Sequence, residues 1–280
     1  EFAVRGARDA DAVIHLAGSS GRGKAAQDAD AEATRILADV CRGAGVARLL
    51  HLSTCDVYGR APRRVDETSR PKAESAAAAS ALELERIVLE AGRGGPHCTV
   101  LRIPEVFGAD APPCFERGFN RYVARAWTAR SLPDAKSLRT EHFVHVADVC
   151  ALLRQALVAR AETVSGQIFN VGSEALRFTP SERLQLLAEA LSVEPPGDES
   201  VGSGGAGPEI SFSKGRRVLG VRCRGSLRAG IAELLSALRR GSRPPGRATA
   251  WAAGGAAQPV VRRRGELSVD RLAGGVWASA

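Results

Sequence analysis

The 280-residue sequence contains no methionine and only two tyrosines, and none of its six cysteines falls in a C-x-x-C pair. The missing methionine includes an initiator, since residue 1 is Glu, and this predicts a fragment or a processed form. No uninterrupted apolar run approaches the roughly 18 residues of a membrane-crossing helix, so no membrane span is read. The opening EFAVRGARDADAVIHLAG carries acidic residues and lacks a cleavable apolar core, so no signal peptide is read there either. Without paired spacings, Cys41, Cys55, Cys98, Cys114, Cys150 and Cys223 read as reduced thiols of a cytoplasmic protein, not as disulfides or metal ligands. His142 and His145 in EHFVHVADV alternate with apolar residues as in a strand, and no metal is expected.

What is present is an ordinary globular mixture, 44% hydrophobic and 25% charged, long enough for one large domain or two smaller ones. The net charge of +8 is unevenly spread. Residues 201–280 hold fourteen basic and four acidic side chains and so carry +10, leaving −2 on residues 1–200. The basic stretches RRVLGVRCRG and VVRRRGELS lack interleaved aromatics or a reading motif. Solvated charge is therefore expected there, and no nucleic-acid partner.

Four strand-length apolar runs stand out: AVIHLA (12–17), RLLHLS (48–53), CTVLRI (98–103) and QIFNVG (167–172). Helical patterns over 28–45 and 74–92 separate the first three, and the former ends in GAG, a stop signal. Strands alternating with helices predict parallel β-α-β units and an α/β sheet covered on both faces. Further helices are predicted at 118–130, in ADVCALLRQALVAR after a short strand, in TPSERLQLLAEALSV with Thr179 or Ser181 as cap, and at 226–241. From residue 242 onward Gly, Pro, Ala and Arg dominate without a period, and 242–280 reads as a disordered basic tail.

VIHLAGSSGRGKAA nearly fits a phosphate-cradling loop, with Gly18, Gly23 and Lys24 at the expected spacing. Ala25 stands where that loop needs a hydroxyl for magnesium, and Lys24 stands where a dinucleotide loop needs its third glycine. A Gly/Ser-rich surface loop is the simpler reading.

Taken in order, the segments resemble the extended short-chain dehydrogenase/reductase family, the NAD-dependent epimerases and dehydratases. DAVIHLAG looks like that family's fourth strand, HLSTCDVYG its fifth strand and active-site turn, and LRIPEVFG its sixth. FVHVADVCALLRQAL, GQIFNVGSEALRFTPSERLQLLAEAL and ISFSKGRRVLGVRCRGSLRAGIAELL resemble its later segments, so the likeness spans about residues 7–240. The resemblance implies a partial NAD(P)-binding Rossmann domain over 1–172, with an insert at 104–140 on the substrate side, and a substrate-binding region over 173–241. It implies NAD or NADP as cofactor, a small-molecule substrate such as a nucleotide sugar, and a homodimer through the helices at 28–45 and 74–92.

The family's chemistry pairs nicotinamide hydride transfer with a Tyr that moves the substrate proton, a Lys four residues on that lowers the Tyr pKa, and a Ser or Thr on the substrate oxygen. By this resemblance Thr54 takes the Ser/Thr role, while Ala77 and Ala81 occupy the Tyr and Lys positions. Leu16, Ala17 and Gly18 would lie along the adenosine side, Ser53 near the nicotinamide, and Ile103 and Val106 beneath its ring. Glu105 and Arg139 fall on the substrate side, Glu105 where sugar epimerases often carry Asn, and Asp30 likewise replaces a frequent Asn. The family's first three strands and glycine loop are not found ahead of DAVIHLAG, which implies reduced or lost cofactor affinity. The implied protein is an epimerase, dehydratase or reductase with impaired chemistry, or alternatively a pseudoenzyme that regulates by binding a nucleotide or a protein.

Overall fold

The computed structural model describes residues 7, 10–16, 23–60, 64–109, 114–132, 138–195, 205–220 and 222–242. The expected tail at 242–280 lies almost wholly outside the described residues, as do Ala17 and Gly18.

Four strands, β1 (Ala12–His15), β2 (Arg48–Thr54), β4 (His97–Ile103) and β7 (Gln167–Asn170), form one parallel sheet in the order β1-β2-β4-β7. These are the four apolar runs, because a strand covered on both faces needs apolar side chains on both. Helices α1 (Lys24–Gly43) and α2 (Ala76–Ala91) cover one face and α4 (Val146–Val158) the other. Cys41 of α1 and Val88 of α2 meet Leu49, Cys98 and Val100 of the sheet, while Leu152 of α4 meets Leu50, Leu101 and Phe169. The outer edge of β1 pairs with no strand among the described residues.

Helix α1 begins at Lys24, four residues before the expected start at 28, with a Lys24–Asp28 ion pair across its first turn. Helix α2 starts where Ser75 accepts the Ala78 backbone N–H, the Ser cap that its alanine run otherwise lacks. Between β2 and α2 the chain turns through a short 3-10 helix, Cys55–Tyr58, where the Thr54 side chain accepts the Asp56 N–H. Gly59 ends that turn at φ 62°, where a Cβ would also collide with the Lys72 carbonyl.

A second group of elements follows the carboxyl ends of the strands. β5 (Glu105–Phe107) runs parallel to β6 (Glu141–His145), which pairs antiparallel with β8 (Arg177–Phe178). Helices α3 (Gly118–Ala129), α6 (Pro180–Leu191) and α8 (Leu227–Arg239) enclose Phe107, Phe119, Phe143, Leu187 and Leu234. Thr179 caps α6 in a reciprocal box with Glu182, which selects it over Ser181. Short pieces the periodicity did not foretell complete the chain: β3 (Arg64–Val65) beside β9 (Glu209–Ile210), α5 (Ala161–Val164) and α7 (Ser213–Leu219). Each is too short to carry a readable period. Among the described residues no helix is long and apolar enough to cross a membrane.

Candidate functional site

A buried polar seam crosses all four strands beneath α1 and α2. His15 and His51 are register neighbours with stacked rings, and His15 Nε2 meets Thr34 Oγ1 of α1 at 3.0 Å. Two residues on, Ser53 Oγ donates to Glu85 Oε1 at 2.5 Å, and Arg102 donates to both Glu85 oxygens at 2.9 and 2.6 Å. Arg102 Nη1 also reaches Tyr58 Oη at 3.0 Å, and that hydroxyl donates to Asn170 Oδ1 at 2.8 Å. Burial pushes the Tyr58 phenol up to about 12. Hydrogen-bonded to Arg102 and Asn170, Tyr58 ties the turn to β7.

This brace sets the register of α2. Because Glu85 is tied to Arg102, the residues four and eight positions earlier, Ala81 and Ala77, fall on neighbouring turns of one side of the helix. Ala77 is exposed, and Ala81 packs against the cluster of Cys55, Val57 and Tyr58. The Ser80 hydroxyl on the same helix is buried without a partner among the described residues. At the other side of the turn, Thr54 Oγ1 accepts the Asp56 N–H at 3.1 Å and keeps its own proton to donate. Thr54 is the register neighbour of Ile103.

Past Ile103 the chain enters a cluster of charge. Arg139 donates to Asp56 Oδ1 at 3.2 Å and lies 3.8 Å from Glu141 Oε2. Glu141 Oε1 accepts from Arg183 Nη1 at 2.6 Å, and Arg183 also donates to the Arg139 and Thr179 carbonyls and stacks over Phe143. Glu105 Oε1 accepts the Phe119 N–H at the start of α3 at 2.8 Å. The carboxylate presses so closely on that helix that a Cβ at Gly118 would collide with it. Burial raises the Glu105 pKa to about 7, with Glu141 and Asp56 adding to the rise and the Phe119 N–H and Arg183 opposing it. Glu141 is raised too, burial again leading.

Of the residues expected at the site, Thr54, Ile103, Val106, Glu105 and Arg139 come together where the strands end. Leu16 follows β1 with 61% of its surface exposed, and Ser53 lies below, its hydroxyl committed to Glu85. Sequence reasoning passed over Glu85, Arg102, Asp56, Glu141 and Arg183. One signal was available: Arg102 is a lone charge in the apolar run CTVLRI, and a buried arginine demands a buried carboxylate.

The model of the NAD dependent epimerase/dehydratase family matches residues 3–172. The chain is similar to solved structures over most of its length. MoeE5 in complex with UDP-glucose and NAD is 26% identical with a TM-score of 0.67, over 82% of this chain and 79% of that one. The DesIV double mutant (dTDP-glucose 4,6-dehydratase) from Streptomyces venezuelae, with NAD and DAU bound, is 25% identical with a TM-score of 0.72, over 85% and 76%. A UDP-glucuronic acid 4-epimerase from Bacillus cereus, 20% identical with a TM-score of 0.71 over 86% and 79%, shares the fold. A search of curated proteins gives no match.

Proposed function

The chain belongs to the NAD dependent epimerase/dehydratase family, and from that premise we propose that it binds NAD or NADP and a nucleotide sugar at the carboxyl ends of β2, β4 and β5, with hydride-transfer chemistry impaired by the loss of its proton-moving pair. The observation that carries this reading is the contrast within α2. Its supporting carboxylate, Glu85, is fully engaged, while Ala77 and Ala81 present only methyl groups.

The described residues fit part of the cofactor. Exposed Leu16 and half-buried Ile103 and Val106 offer apolar surface at the strand ends, where open α/β sheets bind ligands, and the Thr54 hydroxyl lies beside Ile103. When bound, the nicotinamide would accept a hydride from a substrate hydroxyl carbon or return one to a carbonyl. Thr54 would hold the substrate oxygen by a hydrogen bond. No described residue at positions 77 and 81 takes up the proton that must leave that oxygen, so turnover would be slow. In this reading residues 1–172 serve the cofactor and 173–241 grip the sugar nucleotide. Exposed Ile36 on α1 supports a homodimer through α1 and α2, and cysteines free of disulfides suit a reducing cytoplasm.

A second reading, a regulator that binds these ligands without turnover, is favoured by Ala81, whose methyl is already part of the packing under Tyr58. Calorimetric titration with NAD, NADP, UDP-glucose and dTDP-glucose tests binding. The Ala77→Tyr, Ala81→Lys double variant then separates the readings: gained turnover supports the impaired enzyme, and binding without turnover supports the regulator. Absence of binding to all four ligands would overturn both.

A further inference from the structure

The charge cluster at the strand ends holds three carboxyls, Asp56, Glu105 and Glu141, against two guanidiniums, Arg139 and Arg183. Their pairing leaves one acid over. Asp56 has Arg139, Glu141 has Arg183 and lies near Arg139, and every Arg183 nitrogen is engaged with Glu141 or with the Arg139 and Thr179 carbonyls. Among the described residues Glu105 has no cation in hydrogen-bond contact, only the backbone N–H of Phe119.

Several described elements bring charged or polar groups to Glu105. β6, whose Phe143 is its register partner, brings Glu141; the turn after β2 brings Asp56; α6 brings Arg183; α3 brings the Phe119 N–H. Arg139, the more exposed of the two guanidiniums at 37%, stands between Asp56 and Glu141. With Glu105 neutral the cluster has no net charge, and with Glu105 ionised it carries −1. Burial and the two neighbouring acids hold its pKa near neutrality, at about 7, so both states are populated there.

Resting on the function proposed above, we infer that Glu105 couples nucleotide-sugar binding to proton uptake: the diphosphate is accepted beside the neutral acid and repelled by the carboxylate. A dianion bound at these strand ends, as proposed above, meets one more negative charge than positive in the cluster when Glu105 is ionised. Taking one proton from solvent onto the Glu105 carboxylate removes that repulsion and supplies an O–H donor to a phosphate oxygen. No bond in the ligand breaks. The competing role for Glu105, a plain cap on α3, involves no change in protonation when ligand binds.

The test is calorimetric titration of UDP-glucose into the full chain between pH 6.5 and 8.5, in buffers of different ionisation enthalpy. UDP-glucose is chosen over UDP because its diphosphate is a fixed dianion with no group titrating near neutrality. The wild-type protein is expected to take up about one proton per ligand at pH 8, and its Kd to weaken about tenfold per pH unit above 7. Glu105→Gln keeps an acceptor for the Phe119 N–H, and its Kd is expected to be flat across this range with no proton uptake. Wild-type binding without proton uptake overturns the inference and leaves the functional reading intact. An unchanged pH dependence in Glu105→Gln also overturns it, assigning the proton to another group. Failure of both proteins to bind UDP-glucose and dTDP-glucose overturns the functional reading, and the inference falls with it.

Discussion

Two arginine–glutamate pairs among the described residues have a buried arginine, and they differ in their surroundings. In the brace, the Arg102 and Glu85 side chains are 3% and 4% exposed, and both carboxylate oxygens and three arginine nitrogens find partners. In the cluster, Arg183 is 2% exposed but Glu141 is 27% exposed, and a second acid, Glu105, shares its field. A sealed pair whose carboxylate oxygens and guanidinium nitrogens all find partners holds β2, β4 and α2 in register. A pair open on one side, with an acid in excess, stores a charge imbalance that a ligand or a proton can resolve.

Removing one partner from each pair should expose that difference most strongly. Glu85→Ala strands the Arg102 charge in the interior and is expected to cost about 3–5 kcal/mol of stability, read as a lower urea midpoint with unchanged slope. Arg183→Ala is expected to cost less, about 2 kcal/mol, because water can reach the partly exposed Glu141. Equal losses would remove the distinction between sealed and open pairs.

The seam's histidines sharpen the contrast through pH. Burial lowers both His15 and His51 to about 4, with His51 adding to the shift at His15. Both are neutral in the fold, so their contribution is complete above the unfolded value of 6.5 and is lost as pH falls towards 4. The first of the two protons should cost about 3 kcal/mol over that window. His51→Leu also removes the unpartnered Nε2 and is expected to flatten the acid limb of an equilibrium unfolding series. A slope that is unchanged would show that other groups carry it.

The smallest effect has the opposite sign. Glu105 is raised from 4.5 to about 7, so the fold keeps a proton that the unfolded chain releases, and stability falls as pH rises through that window. Glu105→Gln should therefore be about 1–3 kcal/mol more stable than the wild type at pH 8 and equal to it near pH 4.5. Equal stability at both pH values would mean that the Glu105 carboxyl is as well solvated in the fold as in the unfolded chain.

The four sheet strands were legible because each is an apolar run bounded by turn or helix signals, and the Thr179 box announced α6 in a few residues. Thr54, Ile103, Glu105 and Arg139 were legible only through the family resemblance. Asp56, Glu141 and Arg183 escaped it, since nothing in EHFVHV or SERLQLL says that two charges 42 positions apart will share a hydrogen bond. The two-residue strands and the helices of four and seven residues escaped as well, being too short for a period to reveal them.

By itself the sequence determined the element order, the parallel sheet and the alanines at 77 and 81, because hydrophobic period and residue identity are local properties of the chain. Only the tertiary structure decided which arginine neutralises which glutamate, which tyrosine ties the turn to β7, and that Glu105 has no cation in hydrogen-bond contact among the described residues. Those outcomes depend on burial and on distances between residues far apart in sequence, and the strength of a charge interaction is set by both.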